Sequence, residues 1–188
     1  KDRGHIERAA KRPYGMILST GPTGSGKTTT LYSLIRMLST PEISIVTIED
    51  PIECAVADIS QIQINPRTGL TFANGLRSIL RQDPNVIMVG EIRDAETAGI
   101  AVNTALTGHL LLSTLHTNDA ATTLPRLLDM GIDAYLVAST VNIAIGQRLI
   151  RRICEDCKED YKLSDGEYIA LHALLGDRVN RDTTFYKG

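Results

Sequence analysis

The sequence predicts an α/β fold in which helices cover a mostly parallel central sheet. Two observations carry this prediction: short apolar runs alternate with helical patterns, and several runs are short and β-branched or rich in leucine, as strands covered on both faces are. Of the 188 residues, 43% are hydrophobic, which is enough for one well-buried domain and a small appendage. We therefore expect a single α/β core followed by a minor C-terminal module.

The first predicted strand is at residues 16–20, directly before a glycine-rich loop. At 59–64, apolar and polar residues alternate with a period of two, which predicts a half-exposed strand that ends in a turn. The runs that we expect at the centre of the sheet, because they are β-branched or rich in leucine, are 43–48, 86–89 and 110–114.

The predicted helices are identified by their apolar periodicity. They lie at 28–38, 72–80, 95–106, 120–130 and 134–145. After Ile153 the apolar density falls and a polar segment with Cys154 and Cys157 begins. We place a domain boundary there, with the core at residues 1–153 and a small cysteine-containing module at 154–188.

Charge and composition limit the classes of function. The net charge of −2 gives no global field that would attract nucleic acid or acidic lipid. No apolar run approaches the roughly 20 residues of a membrane span, the first residues lack the apolar core of a signal peptide, and three cysteines form no disulfide framework. We therefore expect a cytoplasmic protein. The chain has no initiator methionine, so we also expect it to be part of a longer protein.

A phosphate-binding loop is the most informative motif. Residues 21–28 fit the pattern G-x-x-x-x-G-K-[ST] between a predicted strand and a predicted helix. The helix N-terminus favours an anion, the Lys27 ammonium can reach terminal phosphates, and Thr28 can offer its hydroxyl to Mg²⁺. A glycine turn that binds nothing would not explain a lysine at the positive end of a helix. The expected nucleotide contacts are Gly21, Pro22, Thr23, Gly24, Ser25, Gly26, Lys27, Thr28 and Thr29.

Carboxylates follow two of the predicted strands. Strand 86–89 is followed by Gly90 and Glu91. Gly90 stands where proteins with this phosphate-binding loop usually carry an aspartate, so the metal site must rely on Glu91, on water or on another segment. Residues 48–53 supply further carboxylates, although a solvated turn at a proline is the alternative there. We expect Glu49 and Glu91 near Mg²⁺, directly or through water.

Two histidines flank the predicted strand 110–114. Either His109 or His116 alone would be interpreted as an ordinary polar residue with a local partner, but their joint placement at the two ends of one central strand is harder to dismiss. At the C-terminal end, His116 could donate to a γ-phosphate and report its loss to the following helix.

Four segments together resemble the Walker A, Asp box, Walker B and His box of the bacterial secretion ATPases, in the same order and spacing. They read GPTGSGKTTTLY, TIEDPIE, VIMVGEIRDAETA and TGHLLLSTLHTNDA. The subfamily resembled is the ATPase of type II secretion and type IV pilus assembly, and the match runs from about Tyr14 to Lys158. The resemblance implies a RecA-like motor domain that works as a homo-hexamer at the cytoplasmic face of the inner membrane. It also implies ATP and Mg²⁺ as cofactors, and partners in the secretion or pilus platform and its anchoring proteins.

The same resemblance assigns roles to single residues. It gives phosphate and Mg²⁺ contacts to Lys27 and Thr28, catalysis to Glu53 and Glu91, and the γ-phosphate contact to His116; which glutamate is the base stays open. Arg77, Arg81 and residues 147–149 also fit the family pattern. For the two arginines, ion pairs on the helix surface are an equal alternative.

The cysteine pair resembles half of the family's four-cysteine zinc module. A structural zinc site needs four ligands, and no second pair follows Cys157 up to Gly188. Two reduced thiols are therefore expected in this chain and zinc in the complete protein. The family also places a domain with site arginines before the core, so we expect this chain alone to bind ATP and to hydrolyse it weakly.

Three other functions were considered. A regulatory GTPase would need an Asn-Lys-x-Asp motif, which the sequence lacks. A RecA-like nucleic-acid motor would need a basic groove with aromatic residues, and the chain has no Trp, two Phe and a negative net charge. An ATP-binding scaffold without significant hydrolysis is favoured by Gly90 and opposed by the presence of Glu53, Glu91 and His116.

Overall fold

A computed structural model describes residues 2–188, and the chain divides into two compact units. The first ends at Leu149 and the second runs from Ile150 to Gly188, whereas the sequence placed the boundary after Ile153. No helix among the described residues is both long and apolar enough to cross a membrane.

The first unit is built from six helices and six strands. The helices are α1 (Asp2–Ala10), α2 (Lys27–Leu38), α3 (Phe72–Leu80), α4 (Ala95–Leu106), α5 (Thr123–Asp129) and α6 (Ala134–Thr140). The strands are β1 (Gly15–Thr20), β2 (Ile45–Glu49), β3 (Ser60–Gln63), β4 (Val86–Val89), β5 (Leu110–Leu115) and β6 (Val141–Gly146). The second unit holds β7 (Glu159–Tyr161), α7 (Asp165–Leu175) and β8 (Phe185–Lys187), with β7 and β8 antiparallel.

The six strands form one sheet in the order β3-β2-β4-β5-β1-β6, and every neighbouring pair is parallel. The predicted α/β class with a mostly parallel sheet is therefore confirmed. The three runs expected at the centre are β2, β4 and β5, which lie inside the sheet and are buried throughout. The alternating run became the edge strand β3, which is half-exposed as expected. Because all strands are parallel, their carboxyl ends lie on the same side of the sheet, which is where ligands bind in such sheets.

Two apolar cores cover the two faces of the sheet. Alternate strand residues point to opposite faces, so Ile17, Met88 and Leu112 share one core with residues of α2. The other core joins Ile87 and Leu111 of the strands to residues of α3 and α4. These layers fix the strand ends and the helix starts that carry the functional side chains.

The predicted helix 134–145 is wrong in its second half. Helix α6 ends at Thr140, and the chain continues as strand β6, which pairs with β1 at the edge of the sheet. The apolar residues Ile143 and Ile145 pack against the core on the α2 face, which a period of two allows and a helical turn would not. Hydrogen bonds to β1 and this burial override the helical interpretation of the sequence. Helix α1 was not predicted from the sequence.

Candidate nucleotide-binding and catalytic site

The phosphate-binding loop lies between β1 and α2. Three of its glycines adopt left-handed backbone conformations, with φ of +139° at Gly21, +76° at Gly24 and +84° at Gly26. A side chain is strained in that region, so glycine is required for the backbone to curl around a central space. Gly26 is the N-cap of α2 and offers no side chain to the first backbone N–H groups, and the first turn holds no acidic residue. This open, positive helix end fits phosphate groups.

The Lys27 side chain is folded against the mouth of the loop. Its Nζ donates to the backbone oxygens of Gly21 and Pro22, each at 3.0 Å, and the residue is 9% exposed. Two carbonyl acceptors replace hydration of the ammonium at this buried position. Phosphate oxygens are stronger acceptors for an ammonium because they are charged. The loop and the helix end therefore fit the phosphates of a nucleotide.

Residues after β6 support the loop from behind. The Gln147 backbone N–H donates to Thr20 O at 2.9 Å, and Thr30 Oγ1 donates to Gln147 Oε1 at 2.9 Å. A Cβ at Gly26 would lie 2.9 Å from Gln147 Nε2, so the glutamine fills the space behind that glycine. Gln147, one of the residues at 147–149 that fit the family pattern, therefore supports the phosphate-binding loop. The signal in the sequence was the resemblance, which gave no role for Gln147.

A cavity of about 770 Å³ opens beside the loop. Predicted site residues from four separate segments line it, namely Thr23, Gly24, Gly26, Lys27, Thr28, Thr29, Glu49, Glu53, Glu91 and His116. The structure therefore brings together the phosphate loop, the candidate carboxylates and the candidate histidine. The exposed apolar side chain of Leu149 also borders the cavity.

Glu91 follows β4, borders the cavity and is held by two side chains. Its Oε1 accepts from Arg93 Nη2 at 2.5 Å, and its Oε2 lies 2.8 Å from His116 Nε2. Burial raises the pKa of Glu91, but the hydrogen bonds and charges of Arg93 and His116 outweigh burial, so the pKa is lowered overall. Glu91 therefore stays ionised at neutral pH. Arg93 was not among the predicted site residues.

Glu49 is almost fully buried at the end of β2 and is held by three side-chain donors. Oε1 accepts from Thr47 Oγ1 at 2.6 Å and from Gln61 Nε2 at 3.1 Å, and Oε2 accepts from the Tyr32 hydroxyl. The residue borders the cavity, yet both of its oxygens are occupied by protein donors. Its role as a magnesium ligand stays a prediction.

Glu53 lies on the exposed loop between β2 and β3. The loop carries it to the cavity, and it is not held by an ion pair among residues 2–188. The two candidate catalytic carboxylates therefore reach the same space from two different elements.

Three further predicted residues lie away from this cavity. Arg77 Nη2 pairs with Glu96 Oε1 at 2.8 Å and so joins α3 to α4 on an exposed face, and Arg81 is also exposed. His109 precedes β5, and its Nδ1 lies 3.3 Å from Thr104 O. His109 is thus at the amino end of β5, whereas His116 follows its carboxyl end.

The cysteines form no metal centre in the part of the chain that is described. All three are free and exposed, and no group of three or more His, Cys, Asp or Glu residues within 2–188 is placed to hold a metal ion. Backbone N–H groups of Asp156 and Cys157, and the Cys157 side chain, lower the pKa of the Cys154 thiol. The zinc half site at Cys154 and Cys157 stays a prediction.

Known proteins are similar to this chain in sequence and in fold. The family described as "Type II/IV secretion system protein" matches residues 1–186. The chain is 57% identical over 158 residues to the type II secretion system ATPase E of Vibrio cholerae, which covers 84% of this chain and 31% of that protein. It is 51% identical over 182 residues to the type IV pilus assembly ATPase PilB of Myxococcus xanthus, covering 97% of this chain and 32% of that protein.

A solved structure of similar fold is that of the pilus retraction motor PilT with bound ADP. The TM-score is 0.74 at 39% sequence identity, and the match covers 82% of this chain and 48% of that one. The chain spans about a third of the length of the curated relatives it matches.

Proposed function

The chain belongs to the type II/IV secretion system protein family, and from this premise we propose that it is the nucleotide-hydrolysing part of a longer secretion or pilus-assembly ATPase. The observation that carries the proposal is the convergence of the phosphate loop, Glu53, Glu91 and His116 on one cavity. The resemblance found in the sequence is confirmed at the level of the family.

The phosphate loop would bind ATP through backbone N–H groups and Lys27. On binding, the Lys27 ammonium would exchange the carbonyls of Gly21 and Pro22 for phosphate oxygens, because a charged acceptor forms the stronger hydrogen bond. Mg²⁺, when bound, neutralises charge that develops on the phosphates. We assign it to the Thr28 hydroxyl and, through water, to Glu91. A contact with Glu49 would first require the loss of one of that residue's hydrogen bonds.

The two carboxylates would divide the hydrolytic step. A lowered pKa makes Glu91 a weak proton acceptor, so its role would be to orient the attacking water and, with His116, to face the γ-phosphate. We therefore assign proton removal to Glu53, which has no competing ion pair among the described residues. Both assignments place a carboxylate next to the attacking water.

The complete protein would work as a homo-hexamer on the cytoplasmic side of the inner membrane. Its partners would be the platform and anchoring proteins of type II secretion or type IV pilus assembly, and zinc at Cys154 and Cys157 would need further ligands from the rest of the protein. Support comes from the names of the relatives, which include both machineries. Nucleic acid is not proposed as a partner.

The test of this function is ATP turnover by the complete protein at fixed Mg²⁺. Lys27→Ala is expected to abolish both nucleotide binding and turnover, whereas Lys11→Ala, at an exposed lysine before β1, should leave both unchanged. Unchanged turnover in Lys27→Ala would contradict the proposal. Nucleotide binding through Lys27 without turnover in the unmodified protein would instead favour an ATP-binding scaffold, the function that Gly90 supports.

A further inference from the structure

The loop that carries Glu53 is held by two glutamines of the edge strand β3. Gln61 Oε1 accepts from the Val56 backbone N–H at 2.8 Å, and Gln61 Nε2 donates to Cys54 O at 3.1 Å. Gln63 Oε1 accepts from the Ile52 N–H at 3.4 Å. The backbone on both sides of Glu53 is thus hydrogen-bonded to side chains of one strand.

The sequence pattern of β3 explains how one strand does this. Side chains two residues apart in a strand point to the same side, so Gln61 and Gln63 both face the loop. Ile62 and Ile64 point the other way and pack against the core on the α3 and α4 face. The alternation that predicted a half-exposed strand therefore has a second meaning: its polar positions hold a loop.

Gln61 is itself oriented by a buried carboxylate. Glu49 is 2% exposed, and its Oε1 accepts from Gln61 Nε2 at 3.1 Å and from Thr47 Oγ1 at 2.6 Å. Because a carboxylate at such depth is costly without donors, this arrangement fixes the amide nitrogen toward Glu49 and Cys54. The amide oxygen is then left for the Val56 N–H.

The second Glu49 oxygen connects this network to the phosphate loop. It accepts from the hydroxyl of Tyr32, which is 7% exposed and lies on α2, the helix that starts at Lys27. Burial and the hydrogen bond to Glu49 raise the pKa of Tyr32 to about 12, while the N–H groups of Cys54 and Glu53 act on the hydroxyl in the opposite direction. Tyr32 therefore remains a donor at neutral pH, close to the backbone of the Glu53 loop.

We propose that Gln61 is a positioning residue for hydrolysis, which holds the Glu53 loop at the cavity and ties it to the phosphate-loop helix through Glu49 and Tyr32. The inference rests on the proposed catalytic role of Glu53. Gln61 does not border the cavity, so it acts only through the loop. A displacement of a reacting group by about 1 Å can cost 10²-fold in rate.

The experiment compares turnover and nucleotide affinity in the complete protein. Gln61→Met removes the three hydrogen bonds with little change of volume, and we expect kcat to fall by about 10–100-fold with KM for ATP nearly unchanged. The matched control is Gln82→Met, at an exposed glutamine after α3, which should behave as the unmodified protein. A Gln61→Met protein with unchanged kcat, or with KM raised as much as kcat is lowered, would overturn the inference.

A double variant separates this inference from the function on which it rests. If Gln61 acts through Glu53, Gln61→Met should cause no further loss of single-turnover rate in a Glu53→Gln background. Additive losses would overturn the positioning role while leaving Glu53 catalytic. Full turnover in Glu53→Gln alone would instead remove the proposed role of Glu53, and the role of Gln61 would fall with it.

Hydrogen exchange provides a readout that does not depend on activity. The Val56 amide should lose protection in Gln61→Met, and the Gly90 amide, which donates to Ile48 O at 2.8 Å, should keep it. If Gln61→Met unfolds, Tyr32→Phe tests the same network from the other end and should lower kcat in the same direction. Retained protection of Val56 in a folded Gln61→Met protein would contradict the inference.

Discussion

The two candidate catalytic carboxylates are held in contrasting ways. Glu91 comes two residues after a buried strand, and Arg93 and His116 each contact one of its oxygens. Glu53 lies on an exposed loop, and the glutamines of β3 hold the backbone around it rather than the carboxylate itself. The first arrangement lowers the pKa of a carboxyl through its own contacts, and the second holds a loop while its carboxylate has no ion pair among residues 2–188. This difference is the basis for assigning water orientation to Glu91 and proton removal to Glu53.

The largest expected effect is loss of the carboxylates themselves. Glu53→Gln should lower kcat by about 10²–10⁴-fold, the scale at which general acid–base groups contribute. Glu91→Gln should lower kcat by about 10²-fold, the scale expected for a misplaced reacting group, and both variants should retain nucleotide affinity. Glu42→Gln, at an exposed glutamate before β2, is the matched control. ATP turnover and binding of a fluorescent ATP analogue would measure both quantities. Near-normal turnover in either variant would show that the carboxylate at that position is not needed for hydrolysis.

A pH profile should separate the two kinds of support. Arg93→Met removes a hydrogen bond and a positive charge from Glu91, so the pKa of Glu91 should rise and the acid side of the kcat profile should move to higher pH. Gln61→Met should lower kcat without moving the profile, because it changes position and not ionisation. An unshifted profile in Arg93→Met would show that Glu91 ionisation does not limit turnover.

The stability of the fold should depend on the buried hydrogen bond between Tyr32 and Glu49. Tyr32→Phe leaves one Glu49 oxygen buried without its donor, which should lower the free energy of unfolding by about 1–3 kcal/mol. Tyr135→Phe is the control, because that tyrosine is 69% exposed and its change should lie within about 0.5 kcal/mol. Chemical denaturation would measure the difference. Equal stability of the two variants would mean that Glu49 is satisfied without Tyr32.

The smallest expected effect is the stability due to Arg93 and Glu91. Arg93 is exposed, so the pair should contribute about 0.5 kcal/mol or less. Because the pKa of Glu91 is lowered in the folded state, this contribution is present above the ordinary pKa of glutamate and is lost as the pH falls through the lowered value. Denaturation of Arg93→Met should therefore differ from the unmodified protein at pH 7 and converge with it in acid. A difference that grows in acid would contradict the sign of the pKa shift.

Local motifs and strong periodicity made most of the core predictable. The bounds of α3, α4 and β4 were predicted as they occur, since a clear apolar pattern and a defined start or stop set each of them. Residues 141–145 were assigned to a helix because their apolar residues fit both periods. This segment forms a strand because it pairs with β1, which is distant in the sequence.

The side chains that support the site were less predictable than those that face the ligand. Lys27 stands in a recognisable loop motif at the start of α2. Glu91 and His116 stand in motifs after strand ends, whereas Arg93 and Gln61 gave no such signal. Their roles depend on which loop folds over which strand, and the alternation in β3 was interpreted only as partial burial. A glutamine that bonds to a backbone seven residues away is visible only once the strand order is known.

The most direct test of this account is a structure of the complete protein with Mg²⁺ and a non-hydrolysable ATP analogue. We predict that the phosphates lie in the 21–28 loop and that Lys27 Nζ leaves Gly21 O and Pro22 O for phosphate oxygens. His116 should lie about 3 Å from the γ-phosphate, with Glu53 and Glu91 facing the same water. A nucleotide bound elsewhere, or a Lys27 that keeps both carbonyls beside a bound nucleotide, would contradict the account.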